Sequence, residues 1–114
     1  MFDRNLTKRQ RRVLRELADV AHSRELSAEL IQLEADFSRW HSGELDPHEL
    51  NDRIHAFHQG PSRKLFSRYT DSDKTIAVAS AIARGILAES EVEEDILELL
   101  RSTLGFFREQ QASR

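Results

Sequence analysis

The stretch DRIHAFHQGPSR, residues 52–63, brings together an aspartate, two histidines, two arginines, a serine and a Gly-Pro pair. These are the side-chain types that ligate metals, move protons or hold oxyanions. On a helix, His48, Asp52 and His55 share a polar face, and Asp52 lies one turn from each histidine, which is the spacing of metal ligands on one helix. His48 and His55, however, are seven residues apart, ~10 Å along a helix axis, too far for one ion held by ~2 Å bonds. One helix therefore offers two ligands, and a third would have to come from elsewhere, for instance His41, His22 or Glu44. HEXXH is absent. The plainer reading of this face is a solvated surface with ordinary pairing.

His58 sits on the shoulder of the apolar stripe formed by Leu50, Ile54 and Phe57, next to the Gly-Pro turn. It suits a half-buried ring that bonds a carbonyl or complements a helix C-terminus. Gly60, Ser62 and Arg63 could open a helix whose N–H groups, dipole and cations hold a phosphate or carboxylate. His55, His58, Gly60, Ser62 and Arg63 are thus the ligand or anion candidates, against a tight interhelical turn. Asp52, Arg53, Arg63 and Arg68 are expected to form ion pairs that lock this helix to the next.

A second candidate is the run KRQRRVLR, residues 8–15, where Lys8, Arg11, Arg12 and Arg15 fall on one side of a helix and could neutralise phosphates. The net charge of -3 and the lack of interleaved aromatics argue against nucleic acid. Residues 1–15 carry six basic side chains against Asp3, a net +5, whereas residues 86–100 carry six acidic ones and no base. A solvated face, or docking of this end on the acidic segment around Glu93 to Glu98, within a chain or between two, is the expected use.

These residues must be positioned by helices. With 4 Gly, 2 Pro and few β-branched residues, the chain of 114 residues reads as one all-α domain spanning residues 1–114. About five helices are expected, a long N-terminal one packed with a bundle of shorter ones. Thr7 and Gln10 form a capping box, and no Gly or Pro follows until Ser42-Gly43. Leu6, Val13, Leu17, Val20 and Ala21 stripe the first half of this helix; Leu26, Leu30, Leu33, Phe37 and Trp40 stripe the second. The second stripe lies about 180° around from Leu17 at ~100° per residue. A continuous helix would therefore give one face to its own domain and the other to a partner, and a second copy of the chain is the natural one.

Asp46, Pro47 and Glu49 start the next helix. Gly60-Pro61 is expected to end it and to begin a short helix running to about Tyr69. Ser72 or Asp71 caps the following helix, which ends at Gly85. Ser90 and Glu93 start the last one, striped by Val92, Ile96, Leu99, Leu100, Thr103, Phe106 and Phe107, with residues 110–114 frayed.

The absence of cysteine excludes disulfides and thiolate chemistry. The longest apolar run, IAVASAIA, is far short of the ~20 residues that span a bilayer, and no signal peptide is evident. A cytoplasmic protein without membrane association is expected. There is no nucleophile elbow, P-loop or dinucleotide fingerprint, which leans away from an enzyme and implies no cofactor.

Residues 40–69, WHSGELDPHELNDRIHAFHQGPSRKLFSRY, resemble a group of small bacterial helical proteins with a DRIHxFHxGPSRxL-like core preceded by a long helix. Asp52, Arg53, His55, Phe57, His58, Gly60, Pro61, Ser62 and Arg63 carry the resemblance. It implies a bacterial, cytoplasmic protein and assigns no catalytic residue. Taken together, the residues point to a homodimer through the Leu26–Trp40 stripe that serves as an interaction or regulatory module for another protein, with ligand or nucleic-acid binding as alternatives.

Overall fold

The computed structural model describes residues 6–112; Asp3 and Arg4, counted in the basic end, lie outside them. Helix α1 spans Lys8–His41, α2 Pro47–Phe57, α3 Arg63–Thr70, α4 Lys74–Ala83 and α5 Glu94–Ala112. No strand occurs among the described residues. A π-helical turn, His58–Ser62, joins α2 directly to α3, so the two form one bulged rod and the described residues pack as four helical rods.

The caps are local and follow the residue types. Thr7 accepts from the Gln10 N–H while the Gln10 side chain accepts from the Thr7 N–H, both at 3.0 Å. Asp46 and Glu49 repeat the arrangement at α2, with Pro47 in the first turn. Helix α1 is continuous through residues 22–25, as a run of 34 residues without a breaker requires. It ends where Gly43 takes φ +88°, letting the Glu44 N–H reach the Arg39 carbonyl at 2.8 Å. Gly85, at φ +79°, closes α4 in the same way.

Other boundaries differ from expectation. Gly60-Pro61 does not stop the helix. Proline lacks the N–H and crowds the preceding turn, and widening that turn to a π geometry accommodates both while the rod continues. Helix α4 is capped by Asp73, not Ser72 or Asp71: the Asp73 carboxylate accepts from the Thr75 N–H at 2.8 Å. Ser90 lies in a 3-10 turn, Glu89–Glu91, and α5 starts only at Glu94. Residues 110–112 remain helical.

The core is one cluster in which Leu14, Ala18 and Ala21 of α1 meet Ala77, Val78, Ala81 and Ile82 of α4, Leu65 and Tyr69 of α3, and Ile96, Leu100 and Leu104 of α5. Small residues on α4 let its neighbours approach closely. The buried line of α1 differs from the expected stripe: Leu14 and Ala18 are inside, while Val20 is 40% exposed. Its direction lies only about 110° from the Leu26–Trp40 stripe at ~100° per residue, so the two halves do not present opposite faces.

Beyond this core, the C-terminal half of α1 and α2 form an antiparallel hairpin closed by Leu45 and Leu50. The hairpin makes the molecule long. Its extents are 55 × 32 × 24 Å and its radius of gyration is 17.4 Å, against about 13 Å for a compact chain of this length.

Candidate functional site

The hairpin has two unlike sides, and helical geometry shows which residues share them. Around α1, at ~100° per residue, Asp36 lies about 60° to one side of the half-buried Leu33, while Leu30 and Phe37 lie about 40–60° to the other. On α2, Arg53 lies about 60° to one side of the buried Leu50, and Ile54 about 40° to the other. Arg53 donates to Asp36 at 3.0 Å. That pair fixes which sides meet, so Leu30, Phe37 and Ile54 share the opposite side.

Phe66 joins them. On α3, Arg68 and Phe66 flank the buried Leu65, and Arg68 reaches Glu25 of α1 on the Asp36 side, which puts Phe66 on the apolar side. Their exposures are 45% for Leu30, 42% for Phe37, 37% for Ile54 and 60% for Phe66. Trp40, packed edge-on against His41, stands at the hairpin tip. Of the stripe expected to be free, Leu26 and Leu33 are half-buried within their own chain.

Between hairpin and core sits an ionic cluster centred on Glu25. Its carboxylate accepts from Arg84 Nη1 at 2.7 Å and Nη2 at 3.3 Å, from Arg68 Nη1 at 3.0 Å, and from the Tyr69 hydroxyl. Arg84 Nε also donates to Ser80 at 3.1 Å, and the His22 ring stacks on Tyr69 at 5.2 Å. Burial alone would raise the Glu25 pKa, but the Arg84 and Tyr69 hydrogen bonds and both guanidinium charges outweigh it, so the carboxyl sits below its ordinary value. Burial and the Glu25 hydrogen bond push Tyr69 up. One carboxylate thus ties α1, α3 and α4 together.

A second tie holds the start of α5. Arg24 donates to Glu91 from two nitrogens, at 2.9 and 2.6 Å, and to the Ile86 carbonyl at 2.9 Å. With a further N–H from Ala88, this lowers the Glu91 carboxyl to about 2. Arg9 pairs with Glu93 and, at 3.1 Å, with Asp95. The basic and acidic ends therefore meet within one chain.

The residues singled out by type are less converged. His48, Asp52, His55, His58 and Arg63 are exposed, and Gly60 and Ser62 are half-buried in the π turn. No helix N-terminus opens at Gly60–Arg63, because the helical backbone runs through it and Ser62 makes no cap bond. Among the described residues, no group of three or more His, Asp or Glu side chains stands close enough to share a metal ion. Arg53 and Arg68 lock their rod to α1, through Asp36 and Glu25, and not α2 to α3. In the basic row, Lys8, Arg11, Arg12 and Arg15 are all exposed, and Arg12 approaches Glu16 at 3.9 Å.

Glu25 escaped the sequence reading, yet it left a signal. Leu14, Ala18, Ala21 and Glu25 continue one line at spacings of 4, 3 and 4, so a carboxylate occupies a position reserved for the core and must find partners there. No helix of the described residues is long and apolar enough to cross a membrane. No protein-family model, curated protein or solved structure matches the chain.

Proposed function

We propose that the protein is a small homo-oligomeric interaction module, two copies of which pair through the apolar side of the hairpin and present the joined scaffold to a further protein. The row of Leu30, Phe37, Ile54 and Phe66 carries this reading. Three large apolar side chains on one side of a protruding two-helix arm, continued by Phe66 of α3, resemble half of a four-helix bundle. The likeness of residues 40–69 to bacterial helical proteins supports a cytoplasmic, bacterial setting.

The face is about 30 Å long and two helices, ~20 Å, wide. Two copies would bury roughly 1,200 Å² together, the low end for a specific complex. The dimer is therefore reversible. Light scattering over a wide concentration range should show the mass rising from one chain to two. Leu30→Glu with Phe37→Glu should give a monomer of unchanged helicity at every concentration. A monomeric wild type would sink the proposal, and an unfolded double variant would make the row part of the core.

A further inference from the structure

A concave site independent of the hairpin lies where α3, α4 and the last turns of α5 meet. Its volume is about 320 Å³, and Arg68, Ser80, Arg84, Phe107, Gln110 and Gln111 line it with Ala83. The lining is chemically sorted. Two guanidinium groups and a hydroxyl stand against two carboxamides, Ala83 and Phe107 supply apolar wall, and no carboxylate is among them.

Glu25 lies behind this pocket and fixes how the arginines present themselves. It engages Arg84 through both terminal nitrogens but Arg68 through Nη1 alone. Nε and Nη2 of Arg68 make no hydrogen bond among the described residues, and together they form the side-on fork that matches the two oxygens of a carboxylate. The charge balance agrees: Arg68 and Arg84 against Glu25 leave one positive charge, which a monoanion neutralises and a phosphate dianion exceeds. Holding the fork in advance removes much of the ordering cost of binding.

We infer that this pocket binds a small organic monocarboxylate, its carboxylate on Nε and Nη2 of Arg68 with the Gln110 and Gln111 amides, and its apolar body against Ala83 and Phe107. Nothing in the sequence motifs points here, because the lining comes from three segments far apart in the chain.

Sodium benzoate is a suitable probe, followed by NMR on the 15N-labelled full chain, with inorganic phosphate titrated in parallel. Benzoate should saturably shift the Arg68 Nε–H and the Gln110 and Gln111 side-chain amides. Arg68→Gln should weaken it at least tenfold. Gln111→Glu alters an exposed residue that the fold does not need, places a competing carboxylate beside Arg68, and should weaken binding as much. Absence of saturable shifts, or shifts that survive Gln111→Glu, would overturn the site. Phosphate binding as tight as benzoate would overturn its assignment to carboxylates.

Discussion

Glu25 shows how much one residue decides. A carboxylate at a core position of α1 costs desolvation, and only Arg68, Arg84 and Tyr69 make it tolerable. Removing it strands two guanidinium groups at the junction of α1, α3 and α4. Glu25→Ala should cost about 2–4 kcal/mol, read as a lower midpoint in urea at unchanged slope, and Glu25→Gln less, since the amide still accepts one bond. The acid limb follows from the pKa directions. Glu25 and Glu91 both titrate lower folded than unfolded, so their contribution is complete above about pH 4.5, the ordinary carboxylate range. It is lost as pH falls through the folded values, toward about 2 for Glu91. Melting temperature should be flat near neutrality and drop below about pH 4.5, and the drop should be shallower in Glu25→Gln. Tyr69 acts in the opposite sense: its raised pKa means that stability present below the ordinary phenol value is lost as pH climbs past it. A steeper acid limb in Glu25→Gln would refute the role given to this carboxylate.

At the scale of elements, what was legible was what is local. Thr7 with Gln10, and Asp46 with Glu49, each satisfy backbone N–H groups within one turn, so the residues alone define the helix starts. Gly60-Pro61 was misread because its outcome depends on residues further on. Burying Leu65 and Tyr69 against α1 and α4 keeps the rod helical, and the chain meets the proline by adding a residue to one turn. That makes unequal predictions for two changes at one position. Gly60 has no positive φ, and a Cβ there would meet nothing within 4 Å beyond its chain neighbours Gln59 and Pro61. Gly60→Ala should therefore shift stability by no more than about 1 kcal/mol, the gain in helix propensity being offset by crowding of the new Cβ against Cδ of Pro61. Deleting Gly60 removes the bulge residue and rotates α3 by ~100° relative to α2, taking Leu65 and Tyr69 out of the core. Thermal denaturation followed by circular dichroism should show Gly60→Ala melting close to wild type and the deletion melting far lower with a broadened transition. Equal effects of both would mean that the π turn sets no register.

For the whole molecule, the charge polarity visible along the chain does join its two ends, through Arg9, while Arg24, outside the basic end, adds a second tie to the acidic segment; which arginines serve is decided by where α5 begins. The same holds for apolar residues: the stripe on the second half of α1 was legible, its division into Leu26 and Leu33 inside and Leu30 and Phe37 outside was not, because α2 chooses the side. The resulting shape is uneven, a dense core at one end and a two-helix arm at the other that buries little beyond Leu45 and Leu50. Local opening free energy tracks buried apolar contact, so the arm should open well before the core. Hydrogen exchange at low protein concentration should give amides around Trp40–Leu50 far less protection than those of Ile96–Leu100. If the apolar side of the arm is a dimer face, arm protection must rise with protein concentration while core protection stays fixed, since only the arm gains partners. Leu30→Glu with Phe37→Glu should remove that rise and leave the core unchanged. Arm protection equal to the core at all concentrations would show instead that the hairpin is rigid by itself and that its exposed row serves no pairing.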